Sequence, residues 1–118
     1  MKKLSNLPKT WLIDIDGVIF EHNKYLNNNF GKERLLPGVK KFFDNIPKED
    51  KIILLSARSK MWKEYTIKQL RINKVRYNTI IFDLPVGERI LINDIKPGGL
   101  KTAIAINIKR NKGLVHIW

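Results

Sequence analysis

Four short isoleucine-rich segments do most to limit what this chain can fold into: "TWLIDID" (10–16), "KIILLSA" (51–57), "TIIFD" (79–83) and "RILIND" (89–94). None alternates strictly between polar and apolar residues, the pattern of strands covered on both faces by helices. A fifth segment, "AIAINI" (103–108), alternates Ala, Ala and Asn with isoleucine, and "LVHIW" (114–118) would add an edge strand. Between them, "GVKKFFDNI" (38–46), with Pro37 before it, and "SKMWKEYTIKQLRINK" (59–74) read as helices. In the second of these, Trp62, Tyr65, Ile67 and Leu70 partly repeat at helical spacing. "PGGLKTAIA" (97–105) starts a short helix or a turn. This order predicts an α/β fold of three layers, Rossmann-like, with a mostly parallel central sheet. At 118 residues, 43% of them hydrophobic, the chain is expected to form one domain over 1–118.

The stretch 21–38, "EHNKYLNNNFGKERLLPG", is the one long irregular segment, and segments of that length usually border a site or move. No cysteine is present, which removes disulfides and thiolate metal sites. The apolar runs are far shorter than the roughly 20 residues of a membrane span. The opening "MKKLSNLPKTW" also lacks the apolar stretch of a signal peptide. A soluble, cytoplasmic protein with no membrane partner is the expectation. The net charge of +12, from 23 Lys and Arg against 11 Asp and Glu, invites a polyanion such as nucleic acid. Those cations are spread along the chain, however, and a small anionic substrate would be drawn by the same field.

In a parallel α/β sheet, ligands bind beyond the carboxyl ends of the strands. Here each expected strand ends on polar residues: Asp14 and Asp16, then Ser56 and Arg58, then Asp83, then Asn93 and Asp94. Clustered carboxylates repel one another unless a cation sits among them, and magnesium, which takes carboxylates, waters and phosphate oxygens, would resolve that conflict. An aspartate can attack a phosphate dianion only where a cation cancels the repulsion, and an alkoxide leaves well only when an acid protonates it. Gly17 lets the backbone approach a phosphate closely. Bland alternatives stand beside these roles. Asp16-Gly17 is a common turn pair, Ser56 is also suited to capping the next helix, and Asp94 precedes turn residues. Asp83 reads as structural, and His22 and His116 receive no role.

"DIDGVIF", "LLSAR" and "LINDIKP" resemble motifs one, two and four of the haloacid dehalogenase-like (HAD) phosphohydrolases, in the family's order and across nearly the whole chain. Closer still, the chain is similar to the small capless phosphatases associated with capsule and surface-polysaccharide genes. The resemblance implies Asp14 as the nucleophile that forms an aspartyl-phosphate. Asp16 would then be the acid that protonates the leaving alcohol and afterwards activates water, its backbone carbonyl binding magnesium. Ser56 would hydrogen-bond the transferring phosphoryl group. Asp94 would hold magnesium directly or through water, with Asn93 in place of a second acid. The family's third motif, a lysine or arginine, is where this chain departs: "DLPVGER" has Leu84 at that place. Arg89, Lys96 and Arg58 are the candidates for the missing cation.

Only about 40 residues separate Asp16 from Ser56, too few for a full cap domain. The site would be open, and either accept large substrates or be closed by the 21–37 loop as a minimal cap or by a neighbouring subunit in a homo-oligomer. The leading expectation is a magnesium-dependent phosphomonoesterase acting on a small phosphorylated metabolite, a sugar phosphate or phospho-alcohol destined for a surface glycan. Two alternatives stay open: a nucleic-acid end phosphatase, and a phosphate- or nucleic-acid-binding module that has lost turnover.

Overall fold

Three parallel strands organise a computed structural model that describes residues 4–27 and 32–115. The element order is β1 (Thr10–Asp14), α1 (Lys24–Asn27), α2 (Val39–Asp44), β2 (Lys51–Leu55), α3 (Lys63–Ile72) and β3 (Thr79–Ile81). A 3₁₀ turn, Lys60–Trp62, leads into α3, with the Ser59 hydroxyl accepting from the Met61 N–H as its cap. The sheet order is β1-β2-β3, with Ile13 opposite Leu54 and Leu54 opposite Ile80. Among the described residues the expectation of a parallel α/β sheet is met at that coarse level.

The register explains how the core forms. Paired positions of a ladder share a face, so Trp11, Ile13, Ile52, Leu54 and Ile80 lie on one side. That side is sealed: Ile52 and Leu54 are fully buried and Ile13 nearly so. Phe42 of α2 meets the Trp11 ring edge-on at 5.6 Å. Val39, Phe42 and Phe43 of α2 and Leu70 of α3 complete the same cluster with Ile15, Ile19 and Phe20. The other face carries Leu12 and Ile81, which stay 47% and 44% exposed. The strands were expected to be covered on both faces; this sheet is closed on one and partly open on the other.

The expected fourth strand at 89–94 is not a strand, nor is 103–108, and 114–115 carry none either. Residues 116–118, the rest of that last segment, lie outside the described residues. Every residue from 85 to 101 is exposed. A strand exists only where a neighbour supplies a ladder, and this segment finds local partners instead. Ile95 bridges Lys101, the Lys96 N–H donates to the Leu100 carbonyl, and the Gly99 N–H donates back to Lys96. The stretch 97–105 is thus a turn rather than a helix. Beyond it the chain returns to the body at Asn111–Leu114, where the Leu114 N–H donates to Pro37. Gly113 is required there: its φ is +80°, and a Cβ would run into the Pro37 carbonyl. No helix among the described residues is long and apolar enough to cross a membrane.

Candidate functional site

The carboxyl end of β1 turns back on itself over five residues. The Ile15 N–H continues the ladder to the Leu55 carbonyl, and the Ile15 carbonyl then accepts from the N–H groups of Ile19 and Phe20. Gly17 stands at φ +85° and donates its N–H to the Phe20 carbonyl at 2.7 Å, a backbone shape that suits glycine. With Ile15, Ile19 and Phe20 driven into the core, Asp14 and Asp16 are left at the sheet's rim.

The two carboxylates have different surroundings. The Asp14 side chain is 39% exposed; its Oδ1 accepts the Ile15 N–H at 3.0 Å and lies 3.0 Å from an Arg89 guanidinium nitrogen. Asp16 is only 13% exposed. Its carboxylate accepts Arg58 Nε at 3.0 Å and Arg58 Nη2 at 2.9 Å. The far edge of the same guanidinium meets Glu33, Nη2 donating to Oε1 at 2.9 Å and Nη1 to Oε2 at 3.1 Å, while Nη1 also donates to Thr66 Oγ1 at 2.9 Å. All five guanidinium N–H groups therefore have acceptors. Tyr25 lies against its face, 4.0 Å from ring centroid to guanidinium carbon. Burial alone would lower the Arg58 pKa, but the hydrogen bonds and charges of Asp16 and Glu33 outweigh it and raise the value above the ordinary one. Two carboxylates against one cation also act on the phenols nearby. Burial first, then the Glu33 carboxylate, push Tyr65 up to about 12, and burial and Asp16 raise Tyr25.

Ser56 is 1% exposed and its hydroxyl accepts the Arg58 N–H at 2.9 Å, so it shapes the turn after β2, while Ser59 supplies the helix cap. Asp83, at φ +60°, accepts from the Lys60 N–H and donates its own N–H to the Arg58 carbonyl, a structural role. Arg58, expected among the cations facing a phosphate, is turned inward. Arg89 is the expected cation that meets Asp14, whereas Lys96 lies on the exposed 95–101 turn. Asn93 and Asp94 are also held locally: Asn93 Nδ2 donates to the Thr102 hydroxyl, which donates to the Asp94 carbonyl. Among the described residues no three acidic or histidine side chains gather as a metal centre. Asp14, Asp16 and Asp94 therefore do not form such a cluster of side chains.

Several residues here escaped sequence reasoning. Glu33 lies in the irregular stretch, yet it is 4% exposed and anchored by its main chain as well, its N–H donating to Gln69 Oε1 and its carbonyl accepting from Asn73 Nδ2. The buried stripe of α3 is Thr66, Gln69 and Leu70. Two of these are polar, so a search for apolar spacing passes over them. Asn111 ties the turn from the other side, its N–H donating to the Gly17 carbonyl and its Oδ1 accepting from the His22 N–H. The adjoining Arg110 stem packs at Gly17, where a Cβ would lie 3.3 Å from its Cγ. The signal for Asn111 was slight: an asparagine, tolerant of its φ of +63°, just before a Lys-Gly pair.

The fold and rim define a small α/β chain with paired acids and arginines at the carboxyl end of a parallel sheet. No protein-family model, curated protein or solved structure matches this chain.

Proposed function

We propose that this chain is a HAD-type phosphomonoesterase acting on a small phosphorylated metabolite, a sugar phosphate or phospho-alcohol. The observation that carries the reading is the division of labour between two aspartates two residues apart. Asp14 is open and faced by the Arg89 cation, as a nucleophile attacking a phosphate dianion needs, and Asp16 is held in place beside it. On this reading Asp14 attacks phosphorus, Asp16 gives a proton to the departing oxygen and then takes one from water, and Arg89 offsets the charge of the phosphoryl oxygens. The motifs "LLSAR" and "LINDIKP" of the sequence support the same reading. Magnesium remains part of the proposal, with the Asp14 carboxylate and the Asp16 carbonyl as its ligands and Asp94 to be tested as a third.

The decisive experiment assays a panel of phosphate esters with wild type and Asp14→Asn, each with magnesium and with excess chelator. Turnover by wild type that Asp14→Asn abolishes without changing the circular dichroism is the expected result. Activity of the Asp14→Asn variant within about tenfold of wild type would remove the nucleophile. Full activity in chelator would remove the metal. The basic surface provides a second arm. If the substrate is a small ester, a 3′-phosphorylated oligonucleotide should compete with it only weakly, whereas a polynucleotide gripped through about six phosphate contacts would lose roughly a thousandfold in affinity between ~50 and ~200 mM salt. Steep salt dependence would favour the end-phosphatase alternative.

A further inference from the structure

Behind Asp16 the molecule builds more than a strand end needs. A single bidentate partner would neutralise that carboxylate, yet the guanidinium of Arg58 is gripped on its second edge by Glu33, whose side chain is fully buried. Glu33 in turn is fastened to α3 through Gln69 and Asn73, and the guanidinium itself reaches α3 at Thr66. The planar fork has no freedom to rotate once both edges are engaged, and Tyr25 covers one of its faces. Tyr25 is itself wedged edge-on against Trp62 at 4.8 Å, at the start of α3. The carboxylate of Asp16 is therefore referenced to helix α3, not only to the turn it sits on.

We infer that Glu33 and Arg58 act as a positioning pair for Asp16: Arg58 is a positioning residue that fixes the orientation of that carboxylate, and Glu33 locks Arg58 to α3. This rests on the phosphomonoesterase reading above. It assigns work to two residues on either side of the site, one in the 21–38 stretch and one after β2. It also divides the arginines, with Arg89 facing Asp14 and Arg58 serving Asp16 from within. A group that hands a proton to a departing oxygen must be held within hydrogen-bond reach of it. Loosening the pair should therefore impair the step that depends on leaving-group protonation and leave substrate binding alone.

The test is Glu33→Gln in the full chain, assayed on phenyl phosphate, whose leaving group needs protonation, and p-nitrophenyl phosphate, whose leaving group needs little. The inference expects kcat on phenyl phosphate to fall about tenfold or more, part of the ~10²–10⁴ that proton transfer contributes. On p-nitrophenyl phosphate the loss should stay under about threefold, with KM for both esters within about twofold. Thr66→Val, which removes one Arg58 acceptor at nearly constant volume, should move the same ratio in the same direction by less, and keeps the test alive if Glu33→Gln does not fold. In parallel, the Arg58 Nε–H signal in NMR should shift and exchange faster in Glu33→Gln. Equal losses on the two esters, or an Nε–H signal indifferent to the change, would overturn the inference while the phosphatase reading stands. A wild type inert on both esters with magnesium would instead overturn that reading.

Discussion

Tyr65 shows how far the buried charges of Asp16, Arg58 and Glu33 reach. Its hydroxyl is buried, has no hydrogen-bond partner of good geometry among the described residues, and sits beside the surplus negative charge of Glu33. The phenol ionises at 10.0 in its ordinary state but only at about 12 when folded, so the unfolded chain is the better acid. Its stabilising contribution is therefore complete below pH 10.0 and lost as pH climbs toward 12. Urea midpoints at about pH 9 and about pH 11 should fall more for wild type than for Tyr65→Phe, which has no proton to lose. Equal falls would mean that Tyr65 is not held neutral. Arg58 sets a larger expectation. Arg58→Met leaves Asp16 and Glu33 facing each other without a cation, and breaking a buried pair from one side costs about 3–5 kcal/mol. Chemical denaturation of that variant measures it.

At the scale of elements, β1 and β2 are clamped at their starts by Asp50. Its carboxylate accepts the Lys9 N–H at 3.0 Å and Trp11 Nε1 at 2.9 Å. Burial by itself would push this carboxyl up, but those hydrogen bonds, with the charges of Lys9 and Arg76, hold it below its ordinary value of 3.8. The contribution is present above pH 3.8 and disappears as pH falls through the lower folded value. The melting temperatures of wild type and Asp50→Asn should be well separated at neutral pH and converge in acid; a constant gap would assign the loss to packing. Trp11 in turn reaches both Asp50 and the Phe42 ring of α2, fixing how that helix lies on the sealed face. Helix α3 works differently, since Thr66 and Gln69 are buried to meet Arg58 and Glu33 rather than the aliphatic core.

The whole molecule divides into a packed body and an exposed arm. With principal extents of 52 × 28 × 25 Å, one axis is nearly twice the others. Along the arm, Val86, Ile90 and Ile92 stand 93%, 83% and 91% exposed, although their spelling is that of a buried strand. This contrast gives a sharp test. Ile92→Lys should change unfolding free energy by no more than about 0.5 kcal/mol, as surface changes do. Leu54→Ala, at a fully buried position, should cost ~2–5 kcal/mol. Destabilisation of several kcal/mol by Ile92→Lys would mean that 89–94 packs in solution as the strand its sequence describes.

What the sequence determined by itself was the parallel sheet formed from the apolar runs at 10–16, 51–57 and 79–83, the helices α2 and α3 between them, and the place of Asp14 and Asp16 at the end of the first run. Apolar runs bounded by polar residues are local signals, and a parallel connection leaves few ways to join them, so these features could be read along the chain. Two others could not. Whether "RILIND" pairs depends on a neighbour offering a ladder, and an apolar run is equally apolar whether or not one arrives. The commitment of Arg58 to Asp16 and Glu33 is likewise set by distances between residues 42 and 25 positions apart. A carboxylate in a polar loop spells the same whether it faces water or a buried guanidinium. Only the tertiary structure brings Glu33 under α3, where removal from water makes its pairing obligatory.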